Sequence, residues 1–132
     1  MKQNLLLVES YYNDLWNRKD ISYVDKLFSE DIIFRASLGI ETKGKKEFLE
    51  YFEMITQAIP NLYHSIEAIV ADDNQVATRA LYNGTHQGKL LDFEPTHNRI
   101  RYQGASFFQI KEGKIFDIWV LGDLNTLYKQ LG

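Results

Sequence analysis

The sequence contains no cysteine and only two prolines among its 132 residues. The absence of cysteine excludes a disulfide framework, a thiol nucleophile and any cysteine-ligated zinc or iron–sulfur centre. Long apolar runs are also missing. The first 14 residues contain only four consecutive apolar ones, too few for a secretory signal, and no stretch approaches the length of a membrane span. These absences predict a cytoplasmic protein without a membrane partner.

An excess of positive charge is missing as well, because 15 basic residues stand against 18 acidic ones and give a net charge of −3. This balance argues against a nucleic-acid partner held by a generally basic surface, since such binding depends on neutralising phosphates. A local basic patch is left open. Aromatic residues make up 14% of the chain, which argues against disorder. The length predicts a single domain over residues 1–132 that can bury a core.

Helical spacing of apolar residues dominates the first part of the chain. The predicted elements are a helix with an apolar face from Leu5 to Trp16, a short helix capped by Asp20 and reaching Phe28, a strand over residues 31–36, a turn at residues 42–44 and a helix from about Lys45 to Ala58. Pro60 and Asn61 end that last helix.

Strand patterns dominate the rest of the chain. Strands are predicted at residues 62–71, 76–87, 100–110 and 115–121, with a loop over residues 89–98 and a final helical turn or two at residues 123–130. Helices followed by a meander of strands indicate an α+β fold, and short turns between the strands favour antiparallel pairing. A strongly curved sheet around the aromatic helix faces is the simplest arrangement that buries them.

Three stretches of the sequence carry a family resemblance. They are Asn83-Gly84-Thr85-His86-Gln87-Gly88 followed by Phe93-Glu94-Pro95-Thr96, then residues 108–115, then residues 119–123 with the ending 128–132. In this order they resemble the SnoaL-like polyketide cyclase and ester cyclase family of the NTF2-like superfamily. The resemblance spans nearly the whole chain. It implies a cone-shaped α+β barrel whose N-terminal helices pack in a strongly curved antiparallel sheet.

Asp123 is the main candidate for catalysis. It lies four residues after Trp119, at the end of a hydrophobic strand, where partial desolvation would raise the pKa of its carboxyl toward neutral pH. The resemblance implies that Asp123 is the acid/base of an intramolecular aldol closure, which removes a C–H proton and reprotonates the oxygen formed without a metal or other cofactor. The alternative is structural, because an aspartate before a helical turn is a common N-cap.

Gln109 and His86 are the candidate polar helpers of Asp123. The resemblance implies a histidine at the spacing of Gln109, and a glutamine can donate a hydrogen bond to a carbonyl oxygen but cannot carry a proton. His86 either contacts the ligand as a second proton carrier or lies in a motif that only shapes the strand end. His64 and His97 are predicted at the surface or at a pocket rim. The histidines lack the short spacings of metal ligands, so no metal site is predicted.

The aromatic residues predict a pocket for a flat, small hydrophobic molecule, although each ring alone is equally typical of a core. The candidate ligand contacts are Tyr12, Trp16, Phe34, Phe52, Phe107, Trp119 and Leu121. Arg79 lies in a strand, where it is expected to pair with Glu67 or Asp117 rather than with an anion.

A homodimer through the sheet is the predicted assembly. The last three strands carry apolar or small residues on both faces, as the neighbouring pair Phe107 and Phe108 shows, whereas a sheet with one wet face would alternate more cleanly. The resemblance implies the same assembly, and twofold symmetry is the commonest arrangement of soluble homo-oligomers.

Three functions are compatible with the sequence. The first is a cofactor-free cyclase or isomerase acting on a hydrophobic carbonyl compound. The second is a non-catalytic domain that binds a small hydrophobic ligand, and the third is an interaction module whose function is the dimer surface. The position of Asp123 separates the cyclase from the non-catalytic binding domain. An Asp123 side chain that faces an enclosed pocket favours the enzyme, and one that caps a helix in solvent removes the catalytic role from this residue.

Overall fold

The computed structural model describes residues 2–132, which form four α-helices, one π-helical segment and a six-stranded sheet. The helices are α1 (Lys2–Ser10), α2 (Tyr23–Leu27), α3 (Gly44–Ala58) and α4 (Leu124–Leu131), and α1 continues directly into the π-helical segment (Tyr11–Asn17). The strands are β1 (Phe28–Arg35), β2 (Glu41–Lys43), β3 (Tyr63–Ala71), β4 (Gln75–Thr85), β5 (Arg99–Lys111) and β6 (Lys114–Gly122). The architecture is α+β, as the sequence predicts.

Helix α3 shows why the helical part follows from the sequence. Its apolar residues recur on one face, and Phe48, Phe52 and Ile55 are buried against the sheet. The helix begins where the carboxylate of Glu47 accepts a hydrogen bond from the Lys43 amide at 2.9 Å, which satisfies a donor that the helix itself leaves free. Amphipathic spacing and a satisfied N-terminus therefore place α3 within one residue of its predicted start.

The sheet has the strand order β2-β1-β6-β5-β4-β3, and its neighbours pair antiparallel except for β1 and β6, which run parallel. The prediction of a wholly antiparallel sheet is therefore wrong at this one pair. Strands β1 and β6 are separated by most of the chain, so no tight turn fixes their relative direction. Strand β1 also begins at Phe28 instead of Asp31, and β2 occupies the predicted turn because it pairs with the end of β1.

The concave face of the sheet holds the core. Along β5 the buried side chains alternate with outward ones, so Tyr102, Ser106 and Phe108 face the helices. The register shifts in the pairings of β1 with β6, β3 with β4 and β5 with β6. Such irregularities bend strands and increase their twist, which curves the sheet around the helices. No helix within residues 2–132 is both long and apolar enough to cross a membrane.

Candidate functional site

A partly enclosed cavity lies between the concave face of the sheet and the helices. The cavity has a volume of about 40 Å³. The π-helical segment, helix α3 and strands β1 and β3–β6 all contribute to its lining. The cavity is narrow, and its aromatic and aliphatic walls with a few polar groups are typical of a small-molecule site.

The π-helical segment places three rings in the cavity wall. Its wider hydrogen-bonding pattern is seen at its end, where the Arg18 amide donates to the carbonyl of Asn13, five residues earlier, at 3.1 Å. Tyr11, Tyr12 and Trp16 of this segment all line the cavity. Irregular turns of this kind occur frequently at functional sites, and here the irregular turn faces the cavity.

Hydroxyl groups form the polar part of the wall. The Tyr12 hydroxyl lies 2.7 Å from Thr78 Oγ1 and donates to Ser106 Oγ at 3.2 Å. On another side of the cavity, the hydroxyls of Tyr102 and Ser37 are 3.0 Å apart. Burial raises the pKa of Tyr12 and raises that of Tyr102 to about 12. Both phenols are therefore neutral hydrogen-bonding groups at physiological pH.

A row of rings crosses three strands on the concave face. His64 in β3 is the direct cross-strand partner of Tyr82 in β4, and Tyr82 is the partner of Tyr102 in β5. The ring centroids are 4.9 Å apart in the first pair and 5.0 Å apart in the second. Gly104 leaves space for this row, because a Cβ atom there would lie 2.5 Å from the Tyr82 hydroxyl oxygen.

His64 is held firmly in this row. The Asn17 side chain accepts a hydrogen bond from the His64 amide at 2.7 Å and donates one to the His64 carbonyl at 2.9 Å. The imidazole packs between Tyr12 and Trp16, with ring centroids 5.7 Å and 5.1 Å away. Burial, together with the positive charge of Lys19, lowers the pKa of His64 from 6.5 to about 3. The ring is therefore neutral at physiological pH.

The cavity wall carries no charged side chain among the lining residues that the structure describes. His64 is the one basic group in that lining, and the remaining polar groups are hydroxyls and the Trp16 indole. A charged ligand would lose its hydration here without gaining a counter-charge, which is costly in a low-dielectric site. The wall therefore suits a neutral molecule.

The structure divides the predicted ligand contacts between three places. Tyr12, Trp16 and Phe34 line the cavity. Phe52 is buried behind the wall, with its ring centroid 4.6 Å from that of Trp16. Phe52 therefore supports the cavity without forming part of its lining.

Phe107, Trp119 and Leu121 lie on the outer face of the sheet, so the prediction that they point into the pocket is wrong. They are 45%, 39% and 55% exposed. The reason is strand alternation: Ile118 and Val120 of β6 face the core, so the residues next to them must face outward. On the same outer face, Arg79 pairs with Glu67, with 3.6 Å between Nε and Oε1, as the sequence predicts.

Asp123 caps helix α4 from the solvent side. Its carboxylate accepts hydrogen bonds from the Thr126 amide at 3.2 Å and the Thr126 hydroxyl at 2.7 Å. These hydrogen bonds to the charged form lower the pKa of Asp123, the opposite of the rise expected of a desolvated acid/base. The residue is exposed and lies outside the aromatic cavity. The prediction that Asp123 faces an enclosed pocket is wrong, and the structural alternative describes its position.

Substitution of the cap tests this placement. Asp123→Ala should lower the free energy of unfolding, the usual effect of losing an N-cap, and should leave ligand affinity in the cavity unchanged. Asp123→Asn, which keeps a capping oxygen, serves as the matched control and should lose less stability. Urea unfolding and a ligand titration measure the two quantities. A loss of cavity binding in both variants would contradict the placement.

Gln109 and His86 also lie outside the cavity lining. Gln109 is on the outer face, where its side-chain amide donates to Gln75 Oε1 at 3.0 Å. His86 is fully buried, and its Nδ1 accepts a hydrogen bond from the Thr96 amide at 3.2 Å. Asp123, Gln109 and His86 are therefore not brought together around one cavity.

The Gly-Thr-His-Gln-Gly motif anchors a loop to the end of helix α3. The amides of Gln87 and Gly88 both donate to the Ala58 carbonyl, at 2.9 Å and 3.0 Å. A Cβ atom at Gly88 would lie 2.7 Å from the Gln57 carbonyl oxygen, so this close approach requires glycine. The motif shapes the strand end, which is the structural alternative stated for His86.

Sequence reasoning missed several of the described residues of the cavity lining, and His64 is the one basic side chain among them. It was predicted at the surface or at a pocket rim, and it is buried in the cavity wall, whereas His97 is exposed. Strand alternation in the sequence indicates the buried position of His64. His64 lies on the same strand face as the apolar Ile66, and Tyr63 and Ser65 lie on the opposite face. Among residues 2–132, no group of three or more histidine, aspartate or glutamate side chains is arranged to hold a metal ion.

A family model described as SnoaL-like polyketide cyclase matches residues 6–131, almost the whole chain. The chain belongs to this family. Comparison with curated proteins gave no match. For this SnoaL-like chain the cavity, and not the end of β6, is the place where the fold gathers aromatic walls, hydroxyls and an imidazole.

Solved structures share the fold of this SnoaL-like chain over nearly its full length. A candidate SnoaL-like polyketide cyclase from Jannaschia sp. CCS1 has a TM-score of 0.91 at 14% identity, covering 98% of this chain and 92% of that one. AclR from Streptomyces galilaeus, a candidate hydroxylase, has a TM-score of 0.86 at 26% identity, covering 100% and 86%. IdmH from Streptomyces antibioticus, a candidate polyketide cyclase, has a TM-score of 0.84 at 20% identity, covering 98% and 99%.

Proposed function

We propose that this chain binds a small, neutral, hydrophobic molecule in the cavity and performs acid/base chemistry on it with protein side chains. The reaction class is intramolecular aldol cyclisation or isomerisation of a hydrophobic carbonyl compound. The composition of the cavity wall is the main support for this proposal. The wall combines aromatic rings with neutral hydroxyls, and none of the described lining residues is charged. Membership of the SnoaL-like family supports the reaction class.

The hydroxyls of the wall suit a carbonyl group. Tyrosines whose pKa is raised by burial, as at Tyr51 and Tyr82, stay protonated at neutral pH. A phenol in a low-dielectric site can donate to an oxygen on which negative charge develops, and such preorganised donors are a major source of catalysis. Enolisation of a bound ketone places charge on the carbonyl oxygen, so the wall favours the transition state of that step.

Single-ring molecules are the smallest aromatic probes of the cavity, and they test the binding part of the proposal. The native chain should bind p-xylene more tightly than p-toluate, a carboxylate of similar shape, in an NMR titration. Ile55→Phe adds bulk to the cavity wall and should weaken p-xylene binding at least tenfold, whereas Leu6→Phe, on the exposed side of α1, should not. Equal binding by the native chain and Ile55→Phe, or tighter binding of p-toluate, would contradict the proposed site.

Proton exchange separates the enzyme from a non-catalytic binding domain. If the wall supports enolisation, the native chain should speed the exchange of the α-hydrogens of 4-methylacetophenone in D2O, and Ile55→Phe should reduce that rate. Binding without accelerated exchange would favour the non-catalytic ligand-binding alternative. Binding of 4-methylacetophenone and exchange of its α-hydrogens are both measured, so the comparison does not depend on finding the natural substrate.

We also propose that the outer face of the sheet binds a second copy of this chain. An apolar row runs straight across it, because Val70, Ala77, Phe107 and Trp119 are successive cross-strand partners on β3, β4, β5 and β6. Arg35 lies over the Trp119 ring at 5.1 Å and continues the row onto β1. Monomers rarely leave a large contiguous apolar patch uncovered.

The charges around this row favour self-association over binding of a strongly charged partner. The outer face carries Arg35 and Arg79 together with Glu67 and Asp117, so both signs are present. A twofold axis through the row would place the row of one copy against the same row of the second copy. This is the geometry of an isologous interface. The mixed signs allow complementary pairs around an apolar centre.

A further inference from the structure

The imidazole of His64 is a buried polar group without a partner. Its Nδ1 is shielded from solvent and makes no hydrogen bond, and no protein group bonds to its Nε2. A buried polar atom left unpaired costs about 1–3 kcal/mol, and native proteins contain few of them. His64 lines the cavity, and its Nε2, which has no protein partner, is the ring nitrogen left for a hydrogen bond to a molecule bound there.

The position of the ring is set by its surroundings rather than by a polar partner. The backbone of His64 is fixed by the two hydrogen bonds to Asn17, and the ring is packed against Tyr12, Trp16 and Tyr82. Such packing leaves the ring little freedom to turn toward another protein acceptor. A preorganised polar group in an apolar wall is the arrangement that gives a ligand site its specificity.

We propose that the imidazole of His64 is the hydroxyl-recognition site of the cavity and that the ligand is a neutral phenol or enol. This inference rests on the proposed function, since it names the class of molecule bound at the same cavity. An unpaired ring nitrogen accepts a hydrogen bond from the ligand hydroxyl, and the aromatic walls hold the flat ring or enol system that carries it. Neither Asp123 nor Gln109 takes part, because both lie outside the cavity.

Three molecules of nearly equal shape test the inference: p-cresol donates a hydrogen bond, 4-methylanisole only accepts one, and p-xylene does neither. The native chain should bind p-cresol about tenfold more tightly than either of the others. His64→Phe should reduce the ratio between p-cresol and p-xylene to near one, and His64→Gln, which keeps a hydrogen-bonding side chain, should restore part of it. Leu6→Phe is the matched control and should keep the full ratio.

A second measurement does not depend on the stability of the variants. In the native chain labelled with ¹⁵N at histidine, p-cresol should shift the ring nitrogens of His64 and leave those of His97 in place, whereas p-xylene should move the His64 nitrogens much less.

The outcomes separate this inference from the proposed function. Equal affinities for p-cresol and p-xylene in the native chain would overturn the role of His64 and leave the cavity as a hydrophobic binding site. A p-cresol preference that persists in His64→Phe, or binding of 4-methylanisole as tight as that of p-cresol, would overturn it as well. If none of the three molecules binds, the proposed function itself fails.

Discussion

Acidification from pH 6.5 to pH 4 should lower the free energy of unfolding of the native chain by about 3 kcal/mol more than that of a His64→Phe variant. Burial lowers the pKa of His64 from 6.5 to about 3 in the folded chain. Between these two values the unfolded chain binds a proton that the folded chain does not. The free energy of unfolding therefore falls as the pH falls, with a slope of up to about 1.4 kcal/mol per pH unit from this residue.

The groups around His64 explain why the shift is so large. Its ring faces Tyr12, Trp16 and Tyr82, and among the titratable groups near it Lys19 adds a positive charge that opposes protonation. No carboxylate lines this part of the cavity among the described residues, so an imidazolium would have neither hydration nor a counter-charge there. The lowered pKa is thus a consequence of the same neutral wall that selects an uncharged ligand.

Urea unfolding at fixed protein concentration, at half-unit steps from pH 7 to pH 4, measures this effect. His97→Phe is the matched control, because His97 is exposed and its substitution should leave the pH dependence of the native chain intact. Burial also lowers the pKa of His86, but that residue is present in all three chains and cancels in the comparison. Parallel curves for the native chain and His64→Phe would contradict the burial of His64.

Trp119→Glu should convert a dimer of twice the 15.4 kDa chain mass into a monomer. Trp119 lies in the outer apolar row on one of the two middle strands of the sheet, beside Phe107, with ring centroids 6.0 Å apart. In a twofold dimer the substitution is present in both copies. The interface would therefore bury two carboxylates without a partner, which weakens the dimer. Residues near the centre of an interface also contribute most of its binding energy.

Sedimentation equilibrium over a range of concentrations measures the assembly. Leu6→Glu is the matched control, because Leu6 is an exposed apolar residue on helix α1 and not on the sheet. It should leave the dimer intact. A native chain that stays monomeric at high micromolar concentration would contradict the proposed interface, and so would a dimer that survives Trp119→Glu.

The helices and most strands follow from the sequence because their signals are local. Phe48, Phe52 and Ile55 recur at helical spacing and lie on the buried face of α3, as expected. The β5–β6 hairpin is marked by Glu112 and Gly113, both of which adopt positive φ in the turn. Such elements depend on neighbouring residues, and a single sequence contains that information.

The site was harder to predict because it depends on which face of each strand is buried. Phe107 and Phe108 are both apolar, so the pattern of β5 gives no clear direction, and the structure turns Phe108 inward and Phe107 outward. His64 reaches the cavity through its pairing with Tyr82, a contact between separate strands that one sequence does not reveal. A register shift between Ile66 and Ala68 further disturbs the alternation of β3.

Asp123 shows how a family resemblance and local chemistry can point in different directions. Its position before a helical turn favours a cap as the structural alternative, and the structure contains that cap, with Thr126 as the donor. The catalytic interpretation required Asp123 to face the pocket, which depends on how strand β6 ends against the rest of the sheet. That geometry is tertiary, and it places the carboxylate in solvent.

The most direct test of the account is a map of where a small neutral ligand binds. We expect p-xylene, titrated into the ¹⁵N-labelled native chain, to shift the backbone amides of Tyr12, His64 and Tyr82. The amides of Gln109 and Asp123 should stay in place. Shifts centred on Asp123, with none at the three cavity residues, would contradict the assignment of the functional site to the cavity.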